Sequence, residues 1–141
     1  MNTFLTTRVV RFSHCDPAGI VFYPRYFELL HEAKEDWFHQ ALGWPFSHMV
    51  GELEQGFPIV RLEADFRGAS RMGEELTIAL SVPQVGNASL HLHYAVTCRG
   101  EPRLDARTIV VHIGLNTGRP EPIGDDLRGR IEHFRAGPAP R

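Results

Sequence analysis

One acidic residue in a turn is the feature of this sequence best suited to chemistry. Asp16 lies within the turn-forming stretch Ser13–Gly19, and Pro24 follows shortly afterwards. Proline is favoured in the first turn of a helix, because its missing N–H would have no intrahelical partner there. The sequence therefore predicts that the Asp16 carboxylate lies near a helix N-terminus, where free N–H groups and a positive dipole end attract anions.

This arrangement allows a catalytic and a structural interpretation. Free amides at a helix N-terminus can polarise a carbonyl group, and a carboxylate beside them can act as nucleophile or as general base for water. Together these groups could hydrolyse an activated ester. Alternatively, Asp16 is an ordinary turn or capping residue, since Asp-Pro and Pro-Ala-Gly sequences are common in turns. The residues alone leave both interpretations open.

A long amphipathic helix is predicted from Pro24 to Leu42, because apolar residues recur at helical spacing and charged residues occupy the other face. Gly43 is expected to end it. Lys34 is the exception on the apolar face, and we expect its stem to pack while its ammonium group extends to solvent. The apolar face comprises Tyr26, Phe27, Leu30, Ala33, Trp37, Phe38 and Ala41.

The remaining elements are predicted to be strands. Residues 3–12 are rich in β-branched and aromatic types, and apolar residues alternate with polar ones in 60–66, 76–82 and 90–98, with a further strand in 104–115. The order of one strand, one long helix and four antiparallel strands predicts an α+β fold, with the helix packed on one face of the sheet. The opposite face is expected to meet solvent or another subunit.

Composition sets the class of protein. The chain has 141 residues, of which 43% are hydrophobic and 23% charged, so we expect one globular domain over 1–135 and a disordered tail over 136–141. A net charge of −2 and the lack of a long apolar run predict no nucleic-acid or membrane partner. Two cysteines and no N-terminal secretory pattern favour a cytoplasmic location.

The segment from Asp16 to Pro24, DPAGIVFYP, followed by Tyr26 and an acidic, aromatic helix, resembles the 4-hydroxybenzoyl-CoA thioesterase family of hotdog-fold proteins. The order and length of the elements agree over roughly residues 4–115. The resemblance implies a five-stranded antiparallel sheet wrapped around one long central helix. It also implies a homodimer or homotetramer in which two sheets join edge to edge, with the active site at the subunit interface.

The resemblance further implies roles for residues of the motif. Asp16 corresponds to the catalytic carboxylate, which attacks the thioester carbonyl or activates water. The backbone N–H of Tyr23 would polarise the thioester oxygen, and Gly19 would let the substrate approach the backbone. Pro24 falls among the expected substrate-binding residues. The substrate would be an acyl-CoA with an aromatic or other compact acyl group, with coenzyme A as leaving group and no metal or other cofactor.

Three positions depart from the family pattern. His14 replaces an acid and is either a group that orients or protonates, or a polar turn residue. His31 replaces an aspartate that recognises a ring hydroxyl, and it either looks into the acyl pocket or pairs with Glu35. The hairpin at 85–89 lacks the basic residues that bind nucleotide phosphates in one branch, so Arg71 becomes a candidate for that contact.

Two other functions remain open at this point. A hotdog dehydratase or hydratase acting on an acyl thioester would need a histidine and an acid across the pocket, and His14 or His31 could supply the histidine. A non-catalytic acyl-CoA-binding module would keep the fold without any reaction. Acyl-CoA and a second copy of the chain are the partners that all these interpretations expect.

Overall fold

A helix packed against one face of an antiparallel sheet forms the centre of the protein. The computed structural model describes residues 1–138. Helix α1 spans Tyr23–Asp36 and continues into a wider, π-helical turn over Trp37–Ala41, in which Leu42 N–H donates to Trp37 O at 3.2 Å. Gly43, with a φ of 61°, follows this turn. The two segments together confirm the helix predicted over 24–42.

The sheet has five long strands. These are β1 (Phe4–Val9), β3 (Ile59–Phe66), β4 (Glu75–Val85), β5 (Ser89–Cys98) and β6 (Glu101–Val111). Their order across the sheet is β1-β4-β5-β6-β3, and every neighbouring pair is antiparallel. The short strands β2 (Gln55–Gly56) and β7 (Ile113–Gly114) pair with each other. This arrangement confirms the predicted α+β architecture.

The side of the central strands that faces α1 forms the core. Side chains alternate between the two faces of a strand, so one alternate set from each strand points at the helix. Cross-strand pairs such as Leu80 and Tyr94 align these sets in the same register. The buried apolar residues of β4 and β5 are those that the alternation predicts: Leu76, Ile78, Leu80, Val82, Leu90, Leu92, Tyr94, Val96 and Cys98. Ser81, on the face predicted to be outward, is buried as well.

Strand β3 differs from its prediction. Its alternation indicates a half-buried strand, yet Val60 is 62% exposed, Phe66 is 52% exposed and Leu62 is also exposed. The physical reason is its position: β3 is an edge strand that pairs only with β6, so within residues 1–138 no strand flanks its other side. An apolar strand edge is therefore left open.

Two further helices complete the description. Helix α2 (Phe46–Met49) is the short turn predicted within the loop after α1, and helix α3 spans Asp125–Ala136. The predicted disordered tail, 136–141, starts inside α3, because Ala136 is its last residue, and 139–141 lie outside the described residues. None of the helices within 1–138 has the length and apolar character that crossing a membrane requires.

Candidate active site

The turn before α1 is a small hairpin. Cys15 and Val21 form an antiparallel bridge, and Phe22 N–H donates to His14 O at 2.9 Å on one side of it. On the other side, Asp16 N–H donates to Ile20 O at 3.0 Å. The hairpin is closed by a turn in which Gly19 N–H donates to Asp16 O at 2.9 Å.

Gly19 is needed for the shape of this turn. Its φ is 78°, in the left-handed region that side chains other than glycine rarely adopt. A Cβ atom built on Gly19 would meet no heavy atom within 4 Å, so the surface beside it is open. Gly19 thus combines a backbone conformation that favours glycine with open space beside it.

The Asp16 carboxylate has a structural role on one oxygen only. Oδ1 accepts the Ala18 N–H at 2.9 Å, the side-chain turn that aspartate commonly makes. Within residues 1–138, Oδ2 accepts no hydrogen bond from the protein, and Asp16 forms no ion pair. The two interpretations of Asp16 are therefore compatible, because the turn uses one oxygen and leaves the other available.

The N–H of Tyr23 is an unpaired donor at the start of α1. Tyr23 is the first residue of the helix, so no carbonyl of the preceding turn is in place to accept its N–H. No backbone or side-chain acceptor is found for it within the described part of the chain. Pro24 has no N–H, and Arg25 N–H donates to Phe22 O at 2.8 Å. Tyr23 therefore supplies the free amide at this helix end.

A second segment of the chain holds the hairpin in place. Val21 N–H donates to Ser70 O at 2.9 Å, and Met72 N–H donates to Gly19 O at 3.3 Å. Ile20 and Arg71 form an antiparallel bridge between these two contacts. Residues 69–74, which connect β3 to β4, therefore act as a strap across the hairpin.

The strap is fixed by a buried polar network that we call the Arg103 network: Tyr26, Ser70, Glu74 and Arg103. Arg103, only 7% exposed, donates from both terminal nitrogens to Glu74 at 2.8 and 3.0 Å and from Nη1 to Ala69 O at 2.8 Å. Tyr26 on α1 donates its hydroxyl to Ser70 Oγ at 2.7 Å. The network therefore connects α1, the strap and β6.

Glu74 is the acidic member of this network. Hydrogen bonds from the Arg103 guanidinium and from Arg71 N–H lower the pKa of Glu74 to about 2. The same contact raises the pKa of Arg103. Sequence reasoning missed this pair, because Glu74 and Arg103 are separated by a whole hairpin in the chain and no local pattern connects them.

The structure separates the other predicted residues of this region. His14 Nδ1 accepts Arg11 N–H at 2.9 Å, so its ring is part of the turn, and no hydrogen bond joins it to Asp16 within 1–138. Arg71 has an exposed side chain beside the strap, and its guanidinium forms no ion pair within the described residues. Arg71 is therefore available to a ligand, whereas His14 Nδ1 is already occupied.

A cleft of about 380 Å³ opens on the hairpin. Asp16 and Gly19 line it together with Phe12 and Met72, which are 83% and 53% exposed. Large exposed apolar side chains beside a carboxylate are typical of a ligand or subunit contact rather than of a free surface. The cleft thus brings together the predicted acid and the predicted glycine.

Lys34 contradicts its prediction. The expected solvent-exposed ammonium is instead buried: Lys34 is 4% exposed, and Nζ donates to Phe57 O at 3.3 Å. Burial lowers its pKa to about 8. The reason is the depth of its position on α1, where the sheet and the segment around Phe57 cover the end of the side chain. In the sequence, the position of Lys34 on the apolar face of the helix was the feature that could have indicated this burial.

Lys34 lines a small cavity of about 20 Å³, which we call the Lys34 cavity. His31 borders it, as one of its predicted roles requires, and no hydrogen bond joins His31 to Glu35 within 1–138. Desolvation, followed by the charge of Lys34, lowers the pKa of His31. The neutral form of the ring is therefore favoured. The other polar groups of this cavity are Tyr94 and Thr108.

The predicted site residues thus fall at two places along α1. Asp16, Gly19 and the Tyr23 N–H belong to its N-terminal end, whereas His31 borders a cavity farther along the helix. Asp16 lies in the hairpin, opposite Ile20, and the Tyr23 N–H lies at the start of the helix that follows the hairpin.

Comparisons with known proteins identify the relatives of this chain. Residues 10–131 match the thioesterase-like superfamily. The chain is 31% identical over 112 residues to a 1,4-dihydroxy-2-naphthoyl-CoA hydrolase of Acaryochloris marina, an alignment covering 78% of this chain and 80% of that protein.

Solved structures show the same architecture. The 4-hydroxybenzoyl-CoA thioesterase of a Pseudomonas species superimposes with a TM-score of 0.84 at 26% identity, covering 92% of this chain and 99% of that one. A gentisyl-coenzyme A thioesterase superimposes with a TM-score of 0.83 at 25% identity, covering 91% of this chain and 99% of that one.

Proposed function

The chain belongs to the thioesterase-like superfamily, and on this premise we propose that it hydrolyses acyl-CoA thioesters whose acyl group is aromatic or otherwise compact. The family resemblance and the hotdog fold predicted from the sequence are both confirmed. Relatives named as hydrolases of hydroxylated aryl-CoA esters support the substrate class. One observation carries the proposal: a carboxylate oxygen and a helix N-terminal amide, both without protein partners within 1–138, lie at one hairpin.

The proposed reaction uses these two groups in turn. The thioester oxygen accepts the Tyr23 N–H, which polarises the carbonyl and stabilises the oxyanion that forms. In one route Asp16 Oδ2 attacks the carbonyl carbon, the thiolate of coenzyme A leaves, and water then cleaves the acyl-aspartate to give the free acid and the Asp16 carboxylate. In the other, Asp16 Oδ2 removes a proton from a water molecule that attacks the carbonyl carbon, the carbon–sulfur bond breaks, and that proton passes to the thiolate or to solvent. A single turnover in heavy-oxygen water distinguishes the two routes, because only the route through an acyl-aspartate can leave label in Asp16.

Other residues of the region are proposed to hold the substrate. Gly19 provides an open backbone surface, Pro24 shapes the helix start, and Arg71 is an unpaired cation beside the cleft. An arginine in this position suits the phosphates of coenzyme A. Cys15 and Cys98 are free thiols, which is consistent with the cytoplasmic location proposed for the protein.

Hydration or dehydration of an acyl thioester is less well supported. That chemistry needs a histidine facing an acid across the pocket. The His14 ring accepts Arg11 N–H instead, and His31 lies at a different cavity from Asp16. Release of free thiol from acyl-CoA supports hydrolysis, whereas a change in enoyl absorbance without thiol release would favour hydration.

We propose a homodimer, or a tetramer of such dimers, formed through β3. The exposed apolar side chains Val60, Leu62 and Phe66 lie on this open edge strand, and backbone pairing with a second copy would cover them. Light scattering of the protein and of Val60→Lys tests this: the parent should exceed the 15.9 kDa of one chain, and the variant should approach it. A monomeric parent would remove the interface.

The decisive test of the function is Asp16→Asn. Loss of the carboxylate should reduce acyl-CoA hydrolysis by about 10²- to 10⁴-fold, the usual contribution of a general base. Thiol release from benzoyl-CoA and its derivatives is measured for the parent, for Asp16→Asn and for a matched control, Asp126→Asn, whose exposed carboxylate pairs with Arg130 far from the hairpin. Equal rates for the parent and Asp16→Asn would refute the proposed mechanism.

A further inference from the structure

Ser70 contacts both of the segments that carry the proposed reacting groups. Its backbone carbonyl accepts Val21 N–H at 2.9 Å, on the arm of the hairpin that pairs with the arm of Asp16. Its Oγ accepts the hydroxyl of Tyr26 at 2.7 Å, in the first turn of α1 and three residues after Tyr23. Ser70 is 1% exposed, so water does not compete for these bonds. One buried residue of the strap therefore connects the hairpin to the helix start.

The covalent joint between these two segments is Phe22. Its N–H donates to His14 O at 2.9 Å within the hairpin, and its carbonyl accepts Arg25 N–H at 2.8 Å within the helix. The backbone angles of Phe22, a φ of −70° and a ψ of 125°, therefore direct the hairpin relative to α1. No side-chain hydrogen bond caps this end of α1 within the described residues, and the Phe22 side chain is 48% exposed. The joint thus needs a contact elsewhere to fix its angle.

The strap supplies that contact, because it is bonded to the segments on both sides of the joint. Three of its bonds and bridges hold the hairpin, at Gly19, Ile20 and Val21. By contrast, in the part of the chain that the structure describes, a single hydrogen bond joins the strap to α1, the one between Tyr26 and Ser70. Loss of this bond would leave the hairpin attached to the strap but would release the strap from the helix.

The Arg103 network keeps Ser70 itself in place. Arg103 Nη1 donates to Ala69 O at 2.8 Å and to Ser70 Oγ at 3.4 Å. Both terminal nitrogens of the same guanidinium also donate to Glu74, at the other end of the strap. Buried, connected hydrogen bonds of this kind hold side chains in one arrangement. The acceptor for the Tyr26 hydroxyl is therefore preorganised.

We infer that Ser70 and Tyr26 are positioning residues of the proposed reaction, and that their hydrogen bond sets the distance between the Asp16 carboxylate and the Tyr23 N–H. This inference rests on the proposed thioesterase function. Neither Ser70 nor Tyr26 lines the cleft beside Asp16, so they act through the two reacting groups and not on the substrate. A misplacement of about 1 Å can reduce a reaction rate about 10²-fold. Loss of the bond should therefore lower kcat and leave KM unchanged.

The test removes either partner of this bond and measures kcat and KM separately. Tyr26→Phe and Ser70→Ala are assayed with the benzoyl-CoA derivative that the parent hydrolyses fastest, under conditions in which urea denaturation shows each variant to be folded. Each variant should lower kcat about tenfold to a hundredfold, with KM changed less than about twofold.

The matched control is Ser81→Ala, the same chemical change at another buried serine. Ser81 is on β4, six residues beyond the strand's first residue, Glu75, which corresponds to about 20 Å along the strand. Glu75 directly follows the strap, so Ser81 is remote from the hairpin. Ser81→Ala should therefore match the parent in both kcat and KM.

A second measurement separates positioning from a general loss of structure. Tyr26→Phe and Ser70→Ala are each combined with Asp16→Asn, and the residual rate is measured with enzyme in excess over substrate. This residual rate no longer depends on where a carboxylate lies, so either substitution should change it less than about twofold. A fall by the same factor as in the parent background would show a merely structural effect and would overturn the inference.

The remaining outcomes distinguish the inference from the proposed function. A parent that hydrolyses no benzoyl-CoA derivative refutes the thioesterase function and this inference with it. An active parent, with an unchanged kcat in either variant that folds, leaves the function intact and overturns the inference. A higher KM at an unchanged kcat overturns it as well, because the bond would then serve substrate binding. If Ser70→Ala does not fold, Tyr26→Phe decides alone.

Discussion

Two buried basic residues, Lys34 on α1 and Arg103 on β6, differ in how many hydrogen-bond partners surround them. Arg103 is 7% exposed and is held by both oxygens of Glu74, by Ala69 O and by the Ser70 hydroxyl. Lys34 is 4% exposed and has one contact, with Phe57 O. Arg103 keeps only Nε unpaired, whereas Lys34 shares its cavity with a second unpaired group, Thr108 Oγ1.

This difference separates a buried cation that has a carboxylate partner from one that has none within residues 1–138. A buried cation paired with a carboxylate fixes the positions of the segments that contribute to it, here α1, the strap and β6. A buried cation with missing partners adds an energetic cost to the folded protein, and a ligand can remove that cost. The Arg103 network therefore connects the strap that holds the hairpin of Asp16 to α1 and β6, whereas Lys34 Nζ has one hydrogen bond within residues 1–138, to Phe57 O.

Replacing Arg103 should have the largest effect on stability. Arg103→Met removes a charged donor from Ala69 O, Ser70 Oγ and Glu74 and should lower the free energy of unfolding by about 3 kcal/mol, the buried carbonyl and hydroxyl contributing more than the partly exposed Glu74. Urea denaturation measures this change. Glu101→Gln is the matched control, because this exposed carboxylate lies 3.6 Å from the same guanidinium and should contribute under about 1 kcal/mol. Equal effects of the two substitutions would show that Arg103 is not a structural cation.

Replacing Lys34 should have the opposite effect and stabilise the folded protein. Its pKa of about 8 in the folded protein lies below the ordinary 10.5, so the unfolded chain binds more protons between these two pH values. Stability must therefore rise as the pH increases from 8 to 10.5. Below pH 8, Lys34→Met should be more stable than the parent by up to roughly 3 kcal/mol, since one pKa unit corresponds to about 1.4 kcal/mol.

One resonance can report this titration. Lys34 is the only lysine, so a protein labelled with carbon-13 lysine gives a single ε-carbon signal. A midpoint near 8 is expected, and a midpoint near 10.5 would mean that the Lys34 ammonium is solvated and not buried.

The fold was predictable because it depends on local periodicity. The period of α1 and the alternation of residues 76–82 and 90–98 identify most of the side chains that form the core. The exceptions are Ala41, which is exposed, and Leu29 and Ser81, which are buried. The same alternation predicts burial for Val60 and Leu62, and there it is wrong. Periodicity tells which face of a strand is apolar, whereas burial depends on whether another element covers that face.

The candidate site was predictable only where its residues are close in sequence. Asp16, Gly19 and Tyr23 fall in one short motif, so the hairpin and helix start could be inferred together. Glu74 and Arg103 meet only through the sheet register and the strap, and no local signal joins them. Lys34 was visible as an exception on the apolar face, but its depth depends on the segment around Phe57, which the sequence pattern does not position.

Acid should weaken the Arg103 network. The pKa of Glu74, about 2 in the folded protein against an ordinary 4.5, means that its contribution to stability is complete above pH 4.5 and is lost as the pH falls towards 2. The stability difference between the parent and Glu74→Gln should shrink over this window. We expect a smaller change than at Lys34, because the Glu74 side chain is 24% exposed and solvent screens it. A difference that is constant with pH would contradict the pairing.

The smallest expected effects come from removing one buried hydroxyl group from the Arg103 network and one from the Lys34 cavity. Tyr26→Phe deletes the donor to Ser70 Oγ, a bond of 2.7 Å, and should cost about 1 kcal/mol of stability. Thr108→Val deletes a hydroxyl that has no partner within residues 1–138, so it should cost nothing or stabilise the protein by up to about 1 kcal/mol. Urea denaturation of both variants shows whether each substitution lowers or raises the free energy of unfolding. Equal losses would mean that Thr108 is already satisfied, and then the Lys34 cavity would differ from the Arg103 network only in size.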